Sequence, residues 1–307
     1  MTAPDISILT PCLNQERYIR NAVESVLRQD FPSFEHIIVD GGSTDGTLRT
    51  LDLFPHLRLV SGPDRGMYDA LNKGLRLARG RVIGLLNADD LYADGAFAAV
   101  MDAFARHPDA PAISGASNTF AGDFEDRRIV KQNPPVGDDD FWRRMVDTPV
   151  TNAWFFRPAL FEQVGEFDPS YRFVADREWF IRAALAGLRP VPLAQTLYHY
   201  RQHSGSATIS AEDSRSQKRG LQRIAVLTED LRMLESFLDR RDLPGGARTA
   251  VRRSHSERAY RLAATALYHR LLRQAADAAG RGLSRDALWP FIALQMAARR
   301  LVNGPGE

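Results

Sequence analysis

Val82-Ile83-Gly84-Leu85-Leu86-Asn87-Ala88-Asp89-Asp90 is the stretch on which the reading of this chain turns. Val82, Ile83, Leu85 and Leu86 read as a buried strand, and Asp89 and Asp90 fall at its carboxyl end. In an open α/β sheet that end is where ligands bind. Two adjacent carboxylates with no basic neighbour repel each other and lose solvation if covered. A divalent cation relieves both costs, and hard oxygen ligands favour Mg²⁺ or Mn²⁺. The same residues also suit an acidic loop that caps the next helix, with Asp94 in that role a turn later. The spacing alone fits both.

Outward from this stretch the pattern alternates strand and helix, which predicts an α/β fold with a parallel or mixed sheet and crossover helices. Ile6 to Thr10 reads as the first strand, and Tyr18, Ile19, Ala22, Val23, Val26 and Leu27 recur at helical spacing. Phe34 to Val39 is a second strand, ending in the glycine-rich loop Asp40-Gly41-Gly42-Ser43-Thr44-Asp45-Gly46. A helix at Thr47 to Asp52, a strand at Leu57 to Ser61, a helix at Met67 to Arg79 and one at Gly95 to Arg106 complete this half. Between Ala112 and Val150 the periodicity weakens, and the stretch reads as a connecting, substrate-facing segment. A further helix runs from about Asp176 to Ala186. The chain beyond Ser214 is helical and rich in Arg, Ala and Leu, with a break at Leu243-Pro244-Gly245-Gly246. These features place a catalytic domain at residues 1–212 and a helical domain at 213–307.

Composition sets the class. The 307 residues are 44% hydrophobic and 25% charged, as in an ordinary globular chain, and the net charge of +2 gives no reason to expect a nucleic-acid partner. The charge is uneven: from Asp213 onward 18 Lys or Arg face 10 Asp or Glu, a balance of about +8. The N-terminus has no charged segment followed by a long apolar run, so no signal peptide is expected, and no window suits a membrane span. A single cysteine, Cys12, excludes an intrachain disulfide and a cysteine-based zinc site, and fits the cytoplasm. Between Pro11 and Leu13 it reads as a small buried thiol.

Three strand ends carry polar residues, Thr10 to Asn14, Asp40 to Asp45 and Asn87 to Asp90, and chain order brings them to one rim. The first two suit a nucleotide. Asp40 can accept from a base N–H or a ribose hydroxyl, and the small residues beside it admit backbone amides. A turn aspartate bonding its own backbone is the competing reading of Asp40. There is no P-loop lysine and no GxGxxG after the first strand, which disfavours a phosphate-loop NTPase or a NAD enzyme.

The segments TPCLN, IIVDGGSTDGT, PDRGMYDALNKGLRLARGRVIGLLNADD, FFRPALFEQVGEFDPSYRFVADREWFIR and YHYRQH follow in this order over about the first 205 residues. Together they resemble a family 2 inverting glycosyltransferase of the A-type fold. The resemblance implies transfer of a sugar from a nucleotide-diphosphate donor, UDP being the expected nucleotide, to an acceptor hydroxyl with inversion, in bacterial polysaccharide or glycoconjugate synthesis. It places Pro11, Asn14 and Asp40 around the base and ribose, with Arg65 and Asn72 near the nucleotide or donor sugar. Asn87-Ala88-Asp89 stands where the family has Asp-X-Asp. Asp89 then matches the metal-binding carboxylate, with Asp90 second. Asn87 brings no charge, which suits a hydrogen bond to ribose or sugar.

Asp176 matches the family's catalytic base. A carboxylate is needed there because the acceptor hydroxyl must lose its proton as it attacks the anomeric carbon. Glu178 reads as a surface residue and Asp168 as a turn former. In Tyr198-His199-Tyr200-Arg201-Gln202-His203 the resemblance makes His203 a metal or diphosphate ligand and Arg201 a phosphate partner, while His199 reads as structural. Inversion by a single displacement needs no second carboxylate, whereas a glycosidase would need two flanking the bond. Donor-sugar and acceptor contacts are expected from Ala112 to Val150 and around Asn152 and Trp154.

The partners implied are a nucleotide-sugar donor, a glycan or lipid-linked acceptor, and Mg²⁺ or Mn²⁺. Tyr260, Ala263, Ala264, Leu267, Leu271, Leu272, Leu288, Ile292, Leu294 and Met296 recur at helical spacing in the tail. Such a face predicts burial in a small helical bundle. Packing on a second subunit, on another protein or on the inner face of the membrane is the alternative, for which Arg-rich flanks and Trp289-Pro290-Phe291 suit. A non-catalytic nucleotide-sugar-binding or scaffold module of the same fold is the competing functional reading. A nucleotidyltransferase would need a basic signature near the first loop, which is absent.

Overall fold

The computed structural model describes residues 3–303 except 124–125, 138, 148–149 and 204–215. Two compact units divide the chain, one up to His203 and one from Ser204. The expected boundary near residue 212 lies outside the described residues.

The first unit is built on a nine-stranded mixed sheet. Strands β1 (Ile6–Cys12), β2 (Phe34–Asp40), β3 (Leu57–Ser61) and β4 (Val82–Leu85) are parallel, in the order β3-β2-β1-β4. Helices α1 (Ile19–Leu27), α2 (Thr47–Leu51) and α3 (Met67–Leu77) make the connections. Beyond β4 the sheet continues through β8 (Trp154–Phe156), β6 (Ala112–Ala121), β9 (Val191–Gln202) and β5 (Leu91–Tyr92), while β7 (Arg128–Asn133) pairs with β6 as a hairpin arm. Helices α4 (Ala96–Arg106), α5 (Phe141–Val146), α6 (Pro158–Val164) and α7 (Ala175–Leu185) pack around it.

Side-chain alternation along the strands divides the core into two layers. Leu9, Ile83, Leu85, Trp154 and Phe156 face α3, α6 and α7, whose Tyr68, Leu71, Phe161, Trp179 and Phe180 meet them. Ile6, Ile8, Val82 and Phe155 face the other way, against Ala22 and Val26 of α1 and Phe97, Val100 and Phe104 of α4. At Gly84 in β4 a Cβ would come within 2.7 Å of Phe155 and of the Tyr92 hydroxyl. The glycine lets the aromatic layer close over the strand that ends at the acidic pair.

The stretch from 112 to 150 is not a connecting segment: it supplies β6, a central strand, and the β7 arm. Small polar residues in ISGASNT hide the strand, because β6 is held by ladders to β8 on one side and β9 on the other rather than by an alternating apolar face. Glu178 is buried, not superficial, and pairs with Arg182 at 2.7 Å.

His36 in β2 is fully buried, with Nε2 2.9 Å from Thr10 Oγ1. Burial, helped by nearby His56, holds its imidazole neutral down to about 3. The unfolded chain takes up that proton near pH 6.5, so stability is full above this value and falls as pH drops toward 3. The expected slope from this site is up to about 1.4 kcal/mol per pH unit. Urea midpoints from pH 7 to pH 4 should therefore fall less steeply in His36→Gln than in the wild type; parallel curves would refute the assignment.

In the second unit α8 (Gln217–Leu238), α9 (Gly245–Tyr268), α10 (Leu272–Arg285) and α11 (Trp289–Asn303) form a bundle in which α8, α10 and α11 contact α9. Leu227, Leu231, Leu262 and Ala266 form its core. Ala275, Ala278 and Gly282 let α10 approach closely, and Trp289 closes over Gly282. The buried Arg258 guanidinium donates to Asp230 at 2.8 Å. Leu267, Leu272, Leu288 and Leu294, expected in the buried face, are exposed instead, since small residues fill the contact. Among the described residues no helix is long and apolar enough to cross a membrane.

Candidate functional site

The carboxyl ends of β1, β2 and β4 meet the end of β9 along one rim. Pro11 lies buried in β1 opposite Val39. Asn14 follows with φ 53°, a left-handed turn that Asn tolerates. Its Oδ1 accepts from the Thr44 amide at 2.9 Å, and its own amide donates to Ser43 Oγ at 2.8 Å. Gln15 and Glu16 amides donate in turn to Thr47 and Asp45. The first two loops are thus tied together.

Asp40 is the post to which the second loop is tied. Its carboxylate accepts from the amides of Gly42 and Ser43, both at 3.0 Å, from Ser43 Oγ at 2.5 Å and from Ser61 Oγ at 2.7 Å. Burial works against ionisation, but these donors outweigh it and hold the carboxyl below the ordinary carboxylate range. Cys12 is buried against Asp40; burial first, and the Asp40 charge next, push its thiol well up, which leaves it no nucleophile.

Asp89 and Asp90 part company. Asp89 keeps a partly open side chain, and its Oδ2 lies 2.9 Å from His203 Nε2. Asp90 turns inward and is fully buried. Its Oδ2 accepts from the Tyr198 hydroxyl at 2.8 Å and from Asn87 Nδ2 at 3.0 Å, and its Oδ1 from the Arg201 amide at 2.6 Å. Burial, then repulsion from Asp89, raise its carboxyl well above the ordinary range despite these donors. Asp90 is thereby committed to the framework, and Asp89 is the carboxylate that faces the rim.

Arg201 is nearly all buried. Nε donates to the Asp89 carbonyl and Nη1 to the Gly122 carbonyl, each at 2.9 Å, and the guanidinium lies 5.0 Å from the Tyr18 ring centroid and 4.7 Å from that of Phe120. The Tyr18 ring, at the start of α1, is also 4.7 Å from His203. These contacts join the end of β9 to both the first loop and the acidic turn.

Asp176 stands in the first turn of α7. Its Oδ2 accepts from Thr151 Oγ1 at 2.9 Å and its Oδ1 from the Arg177 amide at 2.8 Å. Burial, and then the Asp176 charge, push the Tyr68 phenol well up, so it stays a neutral donor beside that carboxylate. Thr151 opens a 3₁₀ turn whose next residue, Asn152, donates from Nδ2 to the Tyr198 hydroxyl at 3.0 Å. One turn therefore links Asp176 to the Asp90 cluster through Tyr198.

Two further expected residues are engaged by local partners. Asn72 is buried in α3, where its side chain makes a two-way bond with the backbone of Phe167 at 2.8 and 3.0 Å. Arg65 is largely exposed and pairs with Asp69 at 3.1 Å. Tyr198, Thr151, Tyr18 and Tyr68 escaped the sequence reading. For Tyr198 and Tyr68 the only signal was an aromatic inside a polar motif; for Thr151 there was none.

Among the described residues no group of three or more His, Cys, Asp or Glu is placed to hold a metal ion. Asp89 Oδ2 and His203 Nε2, 2.9 Å apart, offer one hard oxygen and one imidazole nitrogen side by side. That pair fits Mg²⁺ or Mn²⁺ when donor phosphates and water fill the other positions.

Residues 7–165 match the family described as glycosyl transferase family 2. Over 195 residues the chain is 34% identical to a PGL/p-HBAD biosynthesis glycosyltransferase of Mycobacterium tuberculosis, covering 59% of this chain and 70% of that protein. Two solved structures share the fold. S. aureus TarS 1-349 in complex with UDP-GlcNAc aligns at a TM-score of 0.54 and 17% identity, covering 93% of this chain and 91% of that one. The mannosyltransferase PcManGT from Pyrobaculum calidifontis, in complex with GDP-Man and Mn²⁺, aligns at 0.56 and 20%, covering 98% and 81%. The architecture is thus the A-type glycosyltransferase fold with helices appended.

Proposed function

Since the chain belongs to glycosyl transferase family 2, we propose that it moves a sugar from a nucleotide-diphosphate donor to an acceptor hydroxyl with inversion. The observation that carries this reading is the division of labour between Asp89, open and paired with His203, and Asp176, seated at a helix start by Thr151. Asp176 takes the proton of the attacking hydroxyl, while Thr151 and the Arg177 amide fix the direction of its carboxylate. The Asn14 and Asp40 loops, whose amides are tied to each other and to Asp40, present small side chains to the nucleoside. Asp89 and His203 would hold the cation, and the buried Arg201 keeps the Asp89 carbonyl and the β9 end in register. When bound, the cation neutralises charge gathering on the departing diphosphate. The UDP-sugar and GDP-sugar complexes of the fold relatives support a nucleotide-sugar donor, and the Mn²⁺ in one of them supports the cation.

The test is a screen of nucleotide-sugars for thermal stabilisation, with and without Mn²⁺, followed by donor turnover. A matched donor at about 100 times its Kd should stabilise by about 2.7 kcal/mol. Binding without turnover of any donor would leave a non-catalytic module, and no binding at all would end the proposal.

A further inference from the structure

A cleft of about 230 Å³ opens beside the site, among β6, the end of β7 and α5. Ser114, Ser117, Asn133, Arg143, Arg144 and Asp147 supply its polar lining, and the buried Trp154 lines it as well. Val150 and Ala153 also line it, and the residue between them that begins the 3₁₀ turn, Thr151, bonds Asp176. Trp154 packs edge-on against Phe180 of α7 at 4.7 Å, the helix that carries Asp176. The cleft wall and the carboxylate are therefore joined through Thr151 and Trp154.

Its charges do not cancel. Arg143 faces Asp147 at 3.8 Å. Arg144 donates to the Pro134 carbonyl at 2.9 Å and has no carboxylate partner among the described residues. Two guanidinium groups and one carboxylate leave a balance of +1 in a half-enclosed space. A guanidinium fork recognises carboxylate or phosphate, whereas Ser117 and Asn133 suit hydroxyls. The volume falls below the roughly 300–1,000 Å³ of sites that enclose a drug-sized ligand, which suits a single sugar unit.

We propose that this cleft receives one unit of the acceptor, a sugar that bears an acid group, with the acid on Arg144 and its hydroxyls on Ser117, Asn133 and Asp147. The assignment rests on the glycosyltransferase reading, in which the acceptor must lie beside Asp176. It deepens that reading by naming the acceptor's chemistry.

The experiment titrates the full chain with glucuronate, glucose 6-phosphate and glucose, following the backbone amides of Ser117 and Asn133 by NMR. At least one acid sugar should bind about tenfold or more tightly than glucose, and the stronger of the two identifies the acid as carboxylate or phosphate. Arg144→Gln should remove the preference and Arg144→Lys restore part of it, with donor-induced stabilisation unchanged in both. Arg144→Met, which keeps the aliphatic stem and removes the guanidinium, carries the same test if Arg144→Gln does not fold. Equal binding of glucose, an acid preference that survives loss of the arginine, or no response at the cleft would each overturn the proposal. Its failure leaves donor turnover intact, whereas failure of the glycosyltransferase reading abolishes donor turnover without touching these titrations.

Discussion

Asp176→Asn is expected to slow sugar transfer by about 10²–10⁴-fold, the range a positioned general base supplies. Asparagine keeps the shape of the side chain and can still accept from Thr151, so α7 and its packing on Trp154 should hold. What it lacks is the basicity to take the acceptor proton. The loss should therefore fall on kcat, with donor stabilisation and donor KM close to those of the wild type. Thr151→Val provides the graded comparison: it removes one hydrogen bond, keeps the carboxylate, and should slow transfer by about two- to tenfold, in line with the roughly 0.5–1.5 kcal/mol of an ordinary hydrogen bond. Initial rates with a matched donor decide the matter. An Asp176→Asn protein within tenfold of wild type would remove Asp176 from the reaction.

The first four strands were legible because each is a short aliphatic run closed by a polar turn, and the parallel order of β1 to β4 follows from the helices between them. The polar ends of those runs were legible as one rim for the same reason. The far half of the sheet was not. In β6, Ser114 spends its hydroxyl on the Val136 amide and Ser117 accepts from Asn133, so residues that look like loop chemistry are paired within the sheet. The unlike fates of Asp89 and Asp90 were also invisible along the chain. They are set by β5, where Leu91 and Tyr92 pair with His199 and Tyr198. That pairing turns Asp90 toward the Tyr198 hydroxyl and leaves Asp89 outward, facing a histidine 114 positions away. The partners of Asn72 were equally invisible: its side chain bonds the backbone of Phe167, 95 positions away, which satisfies a buried amide and carbonyl.

Asp89→Asn should have a comparable effect on activity by a different route. Removing the outer carboxylate of the pair would leave His203 as the one remaining member of the proposed cation pair, and an imidazole alone does not offset the charge of a bound diphosphate. Transfer should fall by about 10²-fold or more, and Mn²⁺ should no longer enhance stabilisation by the donor; by analogy with lost metal-ligand support, His203→Ala should weaken Mn²⁺ by about 10–100-fold. Asp90→Asn is the discriminating neighbour. Its side chain has no open face, so its loss should appear as about 1–3 kcal/mol of stability, through a mismatched buried acceptor, with the Mn²⁺ response of donor binding largely kept. Donor titrations with Mn²⁺ and with a chelator, run beside urea melts, separate the two residues. If Asp89→Asn keeps the Mn²⁺ response and Asp90→Asn loses it, the cation belongs to the inner carboxylate and Asp89 only orients His203.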